Sequence, residues 1–513
     1  MPFGQPIEFR DFAPDADTRV PGVIVDCDGL MATTRGYATM PSAVKTGAVI
    51  PNQEVVRGAY ATRMPNGYPL IFAGTDSHLY RLINGVWTSW YAGALSTADH
   101  WSFATYGNIV LAVNGSDQPL ISEDGNAFVP LAAPITPSTG EPPVSCCVEA
   151  LPAGVFLVEQ ESNRWWYAAN PKDWTLDIAY SVVSAPIASA PGNILSVYQL
   201  TSGAAVFFKD TSMHLAQYIG PPFFWAVNPV SQQVGCPSPL GVVTIRDAHF
   251  FIGPDDFYQF DGSSLRRIPN NLKEWFFKRA DPNYLNTVIG NFDPINSIAF
   301  WHYAPRGVTP PGLITEWVSY NLRSQKWARG SLVIEAAVQP YYLNTGREMT
   351  YDEFGEAFPP NTPDGSPYDN IPVNTSYDSP LFSADVVPAS GYFDTDHELM
   401  TMTGEPAGGY LVTGEIGDGA SFWQLQAVRP VFSKYPSNRL ARLDAFKRPT
   451  YGWPVPDNDP FPRWPTTGPV ATLNRDGAIH LIQVARSHQL KLSLTSAAEI
   501  VGMQYDLVRV GTQ

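Results

Sequence analysis

Charged residues are scarce in this sequence. Asp, Glu, Lys and Arg make up 16% of its 513 residues, compared with about 25% in an average soluble domain. The 32 Lys and Arg residues form no cluster and are outnumbered by 48 Asp and Glu residues, which gives a net charge of −16. Because tight binding to nucleic acid needs grouped cations that neutralise phosphates, the sequence predicts no such binding. An acidic surface would instead repel a DNA backbone and leave it free to slide.

Cysteine and long apolar runs are also lacking. The four cysteines are too few for a disulfide framework, and the adjacent pair Cys146-Cys147 fits neither a zinc site nor a redox C-x-x-C motif. Residues 1–5 contain neither the basic nor the apolar region of a signal peptide, and no apolar run approaches the ~18 residues of a membrane span. These absences predict a soluble protein made in a reducing cytoplasm.

Motifs that mark enzymes are absent from the sequence. It contains no G-x-S-x-G, Walker A, G-x-G-x-x-G or H-E-x-x-H pattern. The nearest approach is His397-Glu398-Leu399-Met400-Thr401, which lacks the second histidine of the zinc motif. Other histidines, for example His100, His249 and His480, are scattered singly. We therefore predict a non-enzymatic protein with no catalytic, cofactor-binding or metal-binding residues.

Three acidic segments resemble parts of known loops. Asp26-Cys27-Asp28-Gly29 and Asp394-Thr395-Asp396 are similar to fragments of calcium loops, but each lacks the third carboxylate and the later Glu that complete such a loop. Residues 122–128 are similar to the Asp-box turn of sialidase-type propellers, which is a structural turn and has one more residue between Asp and Gly. None of the three is predicted to be a functional site.

Aromatic residues and proline are abundant. The sequence has 14 Trp, 24 Tyr, 27 Phe and 48 Pro residues. Since the cores of protein interfaces lose charge and gain aromatic side chains, this composition favours a surface that contacts other protein subunits. The alternative is a compact β-protein with a neutral polar surface, and composition alone leaves both open.

The local patterns are almost entirely those of β-strands. Short runs rich in β-branched and aromatic residues lie between Gly, Pro, Asn and Asp, for example at 154–158, 204–208, 242–245 and 297–301. The best helix candidate is short, at 271–278, where Trp275 and Phe276 would cover an adjoining sheet. The sequence therefore predicts an all-β fold.

A weak repeat indicates which all-β fold. The segments 72–87 and 251–262 both read as a strand, a Gly/Asp turn, a second strand and a tight Asn-Gly or Asp-Gly hairpin. Comparable apolar positions occur near residues 120–121, 165–166, 214–215 and 318–320, about 40 to 50 residues apart with one longer step. Four-stranded propeller blades repeat at this length, although any all-β chain also produces hairpins at irregular intervals.

Changes in composition and strand pattern along the sequence suggest four regions. An N-terminal segment over 1–60 is available to add strands to the core, and a β-propeller-like core covers 61–337. Residues 338–408 are predicted to be a loop-rich insertion that forms binding surfaces, because Pro, Asn, Asp and Gly crowd its first part. A C-terminal β region over 409–513 could close the core, and its Pro-rich stretch at 449–469 fits an extended arm or a surface loop.

Four stretches of the chain carry a resemblance to one family. They are Asn163–Trp174, with an N-R-hydrophobic-W/Y-Y and P-x-D-W pattern; 207–239, a strand, loop and small-residue turn; 250–262, with an F-F-h-G and h-Y-x-h-D-G pattern; and 320–327, a hairpin ending on Trp327. In this order and spacing they resemble the tail nozzle proteins of short-tailed bacteriophages, also called tail hub or packaged-DNA stabilisation proteins. The resemblance covers roughly residues 70 to 330.

The resemblance implies a structural role in a virion. Proteins of this family have a β-propeller-like core with inserted domains and assemble as a ring, usually a homohexamer, below the portal and adaptor proteins. The ring extends the channel for double-stranded DNA without sequence recognition, retains the packaged genome until DNA ejection, and attaches tail fibres, spikes or a needle. The expected location is the tail of the virion, after assembly in the host cytoplasm. No cofactor is expected.

Two other functions remain open from the sequence. A receptor- or glycan-binding tail protein would present exposed Trp and Tyr on a free surface, in the 338–395 or 449–469 segments. A propeller-type glycan hydrolase or lyase would instead need a pocket lined by two carboxylates.

Overall fold

The computed structural model describes residues 6–65, 69–83, 85–131, 142–177, 179, 181–339, 390–436, 441–448, 471–472 and 477–512. Residues 340–389 of the predicted loop-rich insertion (338–408) and the Pro-rich stretch at 449–469 lie outside these ranges. Within them, the protein consists almost entirely of antiparallel β-sheet.

The strands follow one another in short hairpins along the chain. The first five are β1 (Ile7–Glu8), β2 (Ile24–Asp28), β3 (Leu30–Ala32), β4 (Tyr37–Thr39) and β5 (Ser42–Val49). The next twelve are β6 (Val56–Arg63), β7 (Pro69–Thr75), β8 (Leu79–Ile83), β9 (Val86–Ser89), β10 (Ser102–Tyr106), β11 (Ile109–Val113), β12 (Leu120–Glu123), β13 (Val129–Pro130), β14 (Ser145–Leu151), β15 (Gly154–Glu159), β16 (Arg164–Ala168) and β17 (Val182–Pro186).

The second half of the chain continues this pattern around one short helix. Strands β18 (Ile194–Gln199), β19 (Ala205–Lys209), β20 (Met213–Gly220), β21 (Phe224–Ser231), β22 (Val243–Ile245), β23 (Ala248–Ile252), β24 (Phe257–Phe260) and β25 (Leu265–Arg267) precede helix α1 (Lys273–Arg279). After it come β26 (Ile289–Asp293), β27 (Ile298–Tyr303), β28 (Ile314–Asn321), β29 (Lys326–Ile334), β30 (Ala336–Gln339), β31 (Gly391–Phe393), β32 (Glu398–Gly404), β33 (Gly409–Thr413), β34 (Ser421–Lys434), β35 (Ala441–Arg448), β36 (Ala471–Thr472), β37 (Ile479–Ala485), β38 (Ser487–Leu494) and β39 (Glu499–Thr512). Short 3-10 helices lie at Pro51–Gln53 and Pro282–Thr287.

The described strands from β5 to β32 form a seven-bladed β-propeller. Five blades are separate four-stranded sheets: β10–β13, β14–β17, β18–β21, β22–β25 and β26–β29. An eight-stranded sheet supplies two more, because it divides at the parallel pair β30–β6 into blade 1 (β6–β9) and blade 7 (β30–β31–β32–β5). We number the blades from 1 to 7 in chain order. The prediction of an all-β, propeller-like core is therefore confirmed.

The N-terminal strand β5 closes the propeller. It pairs antiparallel with β32 as the outer strand of blade 7, with Val44 opposite Thr401. The inner strands of the last and first blades then lie side by side, with Val338 opposite Ala59. Backbone pairing between β30 and β6 thus joins blade 7 to blade 1 and closes the ring of blades.

Burial explains why the strand signal in the sequence is so clear. The second strands of blades 2 to 6 are covered on both faces by neighbouring blades, and every residue of β11, β19, β23 and β27 is buried. Strands of this kind read as continuous apolar runs rather than as alternating patterns. Three of the four runs singled out in the sequence, at 154–158, 204–208 and 297–301, fall on such second strands.

The weak repeat corresponds to the blades. Segments 72–87 and 251–262 form the middle strands of blades 1 and 5, and the comparable positions near 121, 166, 215 and 319 all lie on third strands of blades 2, 3, 4 and 6. The glycine of each repeat unit has a packing reason. A Cβ atom on Gly74 would lie 2.3 Å from the Trp101 ring, and one on Gly253 would lie 2.7 Å from the Tyr258 ring.

Many aromatic side chains lie between neighbouring blades and pack against one another there. Ring pairs join successive blades at centroid distances of 5.1 Å for Phe72 and Phe128, 5.1 Å for Phe156 and Phe207, 5.2 Å for Phe208 and Phe251, 5.9 Å for Phe257 and Trp301, 5.0 Å for His302 and Tyr392, and 5.6 Å for Trp87 and Phe393. The internal packing of the propeller therefore accounts for much of the aromatic content, and this content is not by itself a sign of subunit interfaces.

Both ends of the described chain meet in a β-sandwich. One sheet has the order β3–β4–β39–β34–β37, with β1 beside β39, and the other has the order β2–β33–β38–β35–β36. Strand β37 shows the alternation expected for a strand with one face in a core: Ile479 and Leu481 are buried, whereas Ile482 and Val484 point outward. The C-terminal region thus forms a second domain with the N-terminal strands and does not close the propeller.

The sandwich packs against blade 6 and forms hydrogen bonds with the backbone groups at the outer edge of β29. The carboxylate of Asp11 accepts a hydrogen bond from the Trp327 amide at 2.5 Å, and the Asp28 carboxylate accepts one from the Ser331 amide at 2.8 Å. The Tyr37 hydroxyl donates to the Trp327 carbonyl at 3.0 Å. Side chains thus take the place of a neighbouring strand, which protects the edge from pairing with another chain.

A buried ion pair strengthens this contact. Arg329 of β29 lies 2.7 Å from Asp26 of β2, and their side chains are 5% and 18% exposed. The Arg329 guanidinium also lies over the ring of Trp275, at 5.6 Å from its centroid. The helix predicted at 271–278 is confirmed as α1, and its Trp275 and Phe276 are buried in the core shared by blades 5 and 6 and the sandwich.

The predicted domain boundaries differ from the structure in two places. Residues 391–404, which the sequence assigns to the loop-rich insertion, form strands β31 and β32 of blade 7. The N-terminal segment 1–60 contributes one strand to the propeller, β5, and most of β6, but its first strands belong to the sandwich. Both differences depend on pairings between strands hundreds of residues apart, such as β32 with β5 and β1 with β39, which local composition does not record.

We predict that Asp26→Asn weakens the docking of the sandwich. Removing one partner of a buried ion pair leaves the other charge poorly compensated, which typically costs about 3 kcal/mol or more. The free energy of unfolding, measured by urea denaturation with tryptophan fluorescence, should fall by that amount. The matched control is Glu274→Gln, which breaks the Glu274–Lys278 pair whose side chains are 72% and 79% exposed, and should change stability by less than about 0.5 kcal/mol. Equal effects of the two variants would contradict the docking role of Asp26.

Candidate functional site

The inner strands of the propeller surround a cavity of about 570 Å³ on its axis. Residues of all seven inner strands line it, from Arg57–Tyr60 of blade 1 to Ala336 and Gln339 of blade 7. We call it the axial cavity. Its volume falls in the range of small-molecule pockets, about 300 to 1,000 Å³. It is therefore large enough for a small ligand, and it does not amount to a passage for a DNA duplex.

Glu149 is the carboxylate among the described residues that line the axial cavity. It lies on β14, the inner strand of blade 3, and its Oε1 atom accepts a hydrogen bond from the backbone amide of Gln199 at 3.1 Å. Burial raises the pKa of Glu149 to about 8, against the opposing effect of this hydrogen bond. The side chain retains partial exposure because it faces the open space of the cavity. At neutral pH it is therefore mainly protonated.

Aromatic rings form part of the cavity wall. Tyr60 of blade 1 stacks on Phe103 of blade 2 at a centroid distance of 5.6 Å, and Phe103 stacks on Trp101 at 5.9 Å. Tyr198 of blade 4 also lines the cavity, and its hydroxyl donates to the Pro239 carbonyl at 2.5 Å. These contacts hold the rings in place before any ligand arrives.

Hydroxyl groups link the inner strands to one another. The Tyr60 and Thr105 hydroxyls lie 3.0 Å apart, and Thr105 donates to Thr62 at 2.8 Å. The Ser102 hydroxyl accepts a hydrogen bond from the Val148 amide at 3.2 Å, which ties blade 2 to blade 3. The polar lining thus stabilises the arrangement of the blades as well as the cavity.

Three basic side chains, Arg57, His100 and Arg246, also line the cavity. Arg57 pairs with Asp76 at 2.6 Å, and both side chains are substantially exposed. Arg246 lies in the exposed turn between the first two strands of blade 5. His100 lies 2.9 Å from the Cys146 carbonyl through its Nε2 atom, and burial lowers its pKa. Among the described groups, none forms an ion pair with Glu149.

Two exposed apolar surfaces lie outside the cavity. The first, which we call the hairpin surface, consists of Tyr218, Ile219 and Phe223 at the tip of the β20–β21 hairpin in blade 4, and Phe223 is 72% exposed. The second, the edge surface, consists of Ile482 and Val484 on β37, and Ile482 is 75% exposed. Within the described part of the chain, β37 pairs only with β34.

The acidic segments noted in the sequence have structural roles. Asp26 and Asp28 belong to the docking contact with β29. Asp394 and Asp396 lie with Glu398 around the Lys45 ammonium, at 2.6, 2.6 and 3.5 Å, so a lysine neutralises this cluster. Among the residues that the structure describes, no group of three or more His, Cys, Asp and Glu side chains could hold a metal ion.

The remaining sequence candidates are also part of the framework. His397 lies 2.8 Å from Glu335 at the turn between β31 and β32. In the segment 122–128, the Gly125 carbonyl accepts a hydrogen bond from Arg81 of blade 1 at 2.7 Å, which joins blades 1 and 2. His249 is buried and His480 is exposed on the outer face of β37.

The stretches that carry the family resemblance lie in blades 3 to 6. Their polar residues support turns and strand ends. The Lys209 ammonium donates to the carbonyls of Ile187, Ala190 and Gly192 at 3.0, 2.8 and 2.8 Å, and Asp261 accepts the amides of Ser263 and Ser264 at 3.0 and 2.8 Å. These hydrogen bonds give Lys209 and Asp261 structural roles in packing and in a turn.

Sequence reasoning missed Glu149. A single glutamate follows the apolar run Cys146-Cys147-Val148 in the first strand of a blade. Because inner strands converge on the propeller axis, a charged residue at this position faces the cavity, but that requires the blade register to be known. The two apolar surfaces were also missed, because exposure on a strand depends on which face the neighbouring blade or sheet covers.

The fold defines the chain as a seven-bladed β-propeller protein with a β-sandwich built from both ends of the described chain. No protein-family model and no curated protein matches the sequence. The described part of the chain holds no helix with the length and apolarity to cross a membrane.

Several solved structures show a limited likeness. YCF48 bound to a D1 peptide has 11% identity and a TM-score of 0.36, over 71% of this chain and 94% of that chain. The extracellular domain of the hybrid two component system BT4673 from B. thetaiotaomicron has 9% identity and a TM-score of 0.41, over 78% of this chain and 44% of that chain. The computationally designed Ika8 protein has 6% identity and a TM-score of 0.36, over 70% of this chain and 99% of that chain. Likeness at this level carries no argument about function.

We predict that Glu149→Gln stabilises the protein at high pH. The folded-state pKa of Glu149 is raised to about 8, whereas an unfolded glutamate has a pKa near ~4.3. Between these values the folded state holds a proton that the unfolded state releases, so stability decreases as pH rises through this window. The melting temperature of the variant should therefore exceed that of the wild type by an amount that grows from pH 5 to pH 8.5.

The control for this experiment is Glu405→Gln, at an exposed position outside the cavity. It should leave the melting temperature unchanged at both pH values. A difference between Glu149→Gln and wild type that stays constant or shrinks as pH rises would show that the carboxyl group is not held protonated by burial.

Proposed function

We propose that this protein is a structural subunit of a tail nozzle or hub ring in a short-tailed bacteriophage. In this role it extends the DNA channel below the portal, retains the packaged genome and attaches distal tail components. The observation that carries the proposal is the presence of two exposed apolar surfaces in different domains, the hairpin surface in the propeller and the edge surface in the sandwich. The order of the four family-like stretches along blades 3 to 6 supports the same role.

Two different apolar surfaces suit a ring better than a two-fold dimer. In a two-fold dimer the same patch meets itself, whereas a head-to-tail ring needs one surface on each side of the subunit. In the proposed contact, the hairpin surface of one copy packs against the edge surface of the next. Among the described strands, β37 has a pairing partner on one side only, and backbone hydrogen bonds at an unpaired edge would add to the apolar contact.

The proposed DNA lumen lies between subunits, at the centre of the ring. The axial cavity of one propeller is of small-molecule size, about 570 Å³, so it gives no passage for a duplex. The net charge of −16 supports a lumen that repels the phosphate backbone and lets DNA slide. Adaptor or portal proteins would contact one face of the ring, and fibre, spike or needle proteins the other. The proposed location is the virion tail, with assembly in the host cytoplasm.

We predict that Phe223→Ser and Ile482→Ser weaken ring assembly. Each removes an apolar side chain that the proposed contact buries, and a central apolar contact typically contributes at least about 1 kcal/mol to association. Light scattering and negative-stain microscopy should show closed rings of about six wild-type copies, alone or with adaptor and portal proteins, and smaller species for both variants. The matched control is Ile295→Ser, because Ile295 is 54% exposed in the β26–β27 turn of blade 6 and belongs to neither surface.

Two outcomes would contradict the ring proposal. One is a wild-type protein that stays monomeric even when adaptor and portal proteins are present. The other is a ring whose stability is the same in wild type, Phe223→Ser and Ile482→Ser, which would remove the two surfaces from the interface.

A second candidate function is a receptor- or glycan-binding tail protein, and the small-molecule size of the axial cavity favours it. A glycan hydrolase gains no support from this cavity. Such enzymes use two carboxyl groups across the bond that they cleave, whereas Glu149 is the single carboxylate among the described lining residues. Binding of labelled glycans to a monomeric protein would favour the receptor-binding role over the ring.

A further inference from the structure

The axial cavity combines space for a ligand with an acidic group that has no ion-pair partner among the described residues. Glu149 faces the cavity, and the backbone amide of Gln199, at 3.1 Å, is the hydrogen-bond donor that the structure gives to its carboxyl group. The described Lys, Arg and His side chains form no ion pair with it. Buried carboxylates are normally paired with a cation or held protonated. Here the partner position is open space that a ligand can enter.

The other groups around Glu149 leave its charge uncompensated. Tyr60 on β6 and Cys147 on β14 are acids whose own pKa values are raised, chiefly by burial and in part by Glu149. His100, before β10, is kept neutral by burial. Arg57 and Arg246 also line the cavity: Arg57 is paired with Asp76, and Arg246 lies at its rim in an exposed turn. A cation that enters the cavity would therefore meet one carboxylate that has no ion-pair partner among the described residues, while Asp76 neutralises the nearby Arg57.

The walls suit the apolar part of a cation. The rings of Tyr60, Phe103 and Tyr198 line the same cavity as Glu149. Aromatic faces attract ammonium groups, and cages of aromatic residues are used to recognise methylated ammonium ligands. The stacking of Tyr60 on Phe103 holds two of these rings in a fixed geometry before binding, which lowers the entropic cost of binding.

We propose that the axial cavity binds a small organic ammonium ion, whose charge pairs with Glu149 and whose alkyl groups contact Tyr60, Phe103 and Tyr198. The charge balance of the reaction is simple. In the empty cavity Glu149 holds a proton, and on binding the proton leaves for solvent while the cation enters, so the cavity stays neutral. This proposal depends on the cavity alone and is independent of the ring.

The test uses tetramethylammonium as the probe, because its charge does not change with pH. Binding to the full-length protein is measured by isothermal titration calorimetry at pH 6.5 and pH 8.5. Because only ionised Glu149 pairs with the cation, affinity should rise about tenfold or more over this interval. At pH 6.5 each bound cation should also release close to one proton, seen as a dependence of the measured heat on the ionisation enthalpy of the buffer, and at pH 8.5 this dependence should be much smaller.

The variant Glu149→Gln tests the residue. It matches the protonated side chain in shape, and it should weaken tetramethylammonium binding at pH 8.5 by about 10- to 100-fold and abolish the dependence on pH. Glu149→Asp keeps the charge and provides a second measurement if the first variant fails to fold: it should retain a pH-dependent affinity. The control ligand is tert-butanol, which has a similar shape without the charge and should bind weakly and equally at both pH values.

Three results with tetramethylammonium and tert-butanol would overturn the proposal. They are the absence of tetramethylammonium binding at pH 8.5, equal binding by wild type and Glu149→Gln, and binding of tert-butanol as tight as that of the cation. Preferential binding of neutral sugars, unaffected by Glu149→Gln, would also overturn it and would assign the cavity to a glycan. None of these results depends on the oligomeric state. The ligand proposal and the ring proposal can therefore be overturned separately.

Discussion

The pairing of β5 with β32 is the interaction on which the rest of the structure depends. It brings an N-terminal strand against the last hairpin of the propeller and completes blade 7. The chain on either side of this pair is short: residues 40–41 connect β4 to β5, and residues 405–408 connect β32 to β33. Closure of the propeller therefore places the two ends of the propeller chain together, and the sandwich forms from the strands that continue beyond them.

Closure also determines the position of the sandwich on the propeller. Strands β2 and β3 leave the closure point beside blade 6, where Asp11, Asp28 and Tyr37 cover the outer edge of β29. Edge strands are sites of unwanted pairing in β-proteins. In this protein one edge is covered within the subunit, whereas β37 has a pairing partner on one side only among the described strands. This difference between the two edges is the structural basis of the proposed contact between subunits.

In the proposed assembly, the propeller axis would bind a ligand, whereas the subunit surface would contact neighbouring subunits. Seven inner strands leave a cavity that is large enough for a small molecule and contains one acidic group, Glu149. The proposed assembly contacts lie far along the chain from that group, on the β20–β21 hairpin and on β37. A subunit of a DNA-conducting ring would thus carry a ligand cavity that the conducted DNA does not enter.

Much of the fold could be predicted from the sequence, because the strands and turns produce recognisable local patterns of residues. Apolar runs such as 297–301 record strands that are buried on both faces, and the repeat of Gly74 and Gly253 before the third strands records the blade length. Composition was less reliable: the aromatic residues that suggested interfaces are used largely between blades, as in the pair of Phe156 and Phe207.

The sequence by itself determined that the chain forms short antiparallel strands in a repeating, propeller-like order, since these features depend on neighbours a few residues apart. Only the tertiary structure decided the number of blades, the closure by β5, the shared sandwich and the burial of Glu149 on the axis. Each of these depends on pairing between distant segments, as when Val44 meets Thr401. Such pairing is selected by the packing of the whole chain, and a strand's own residues do not specify its distant partner.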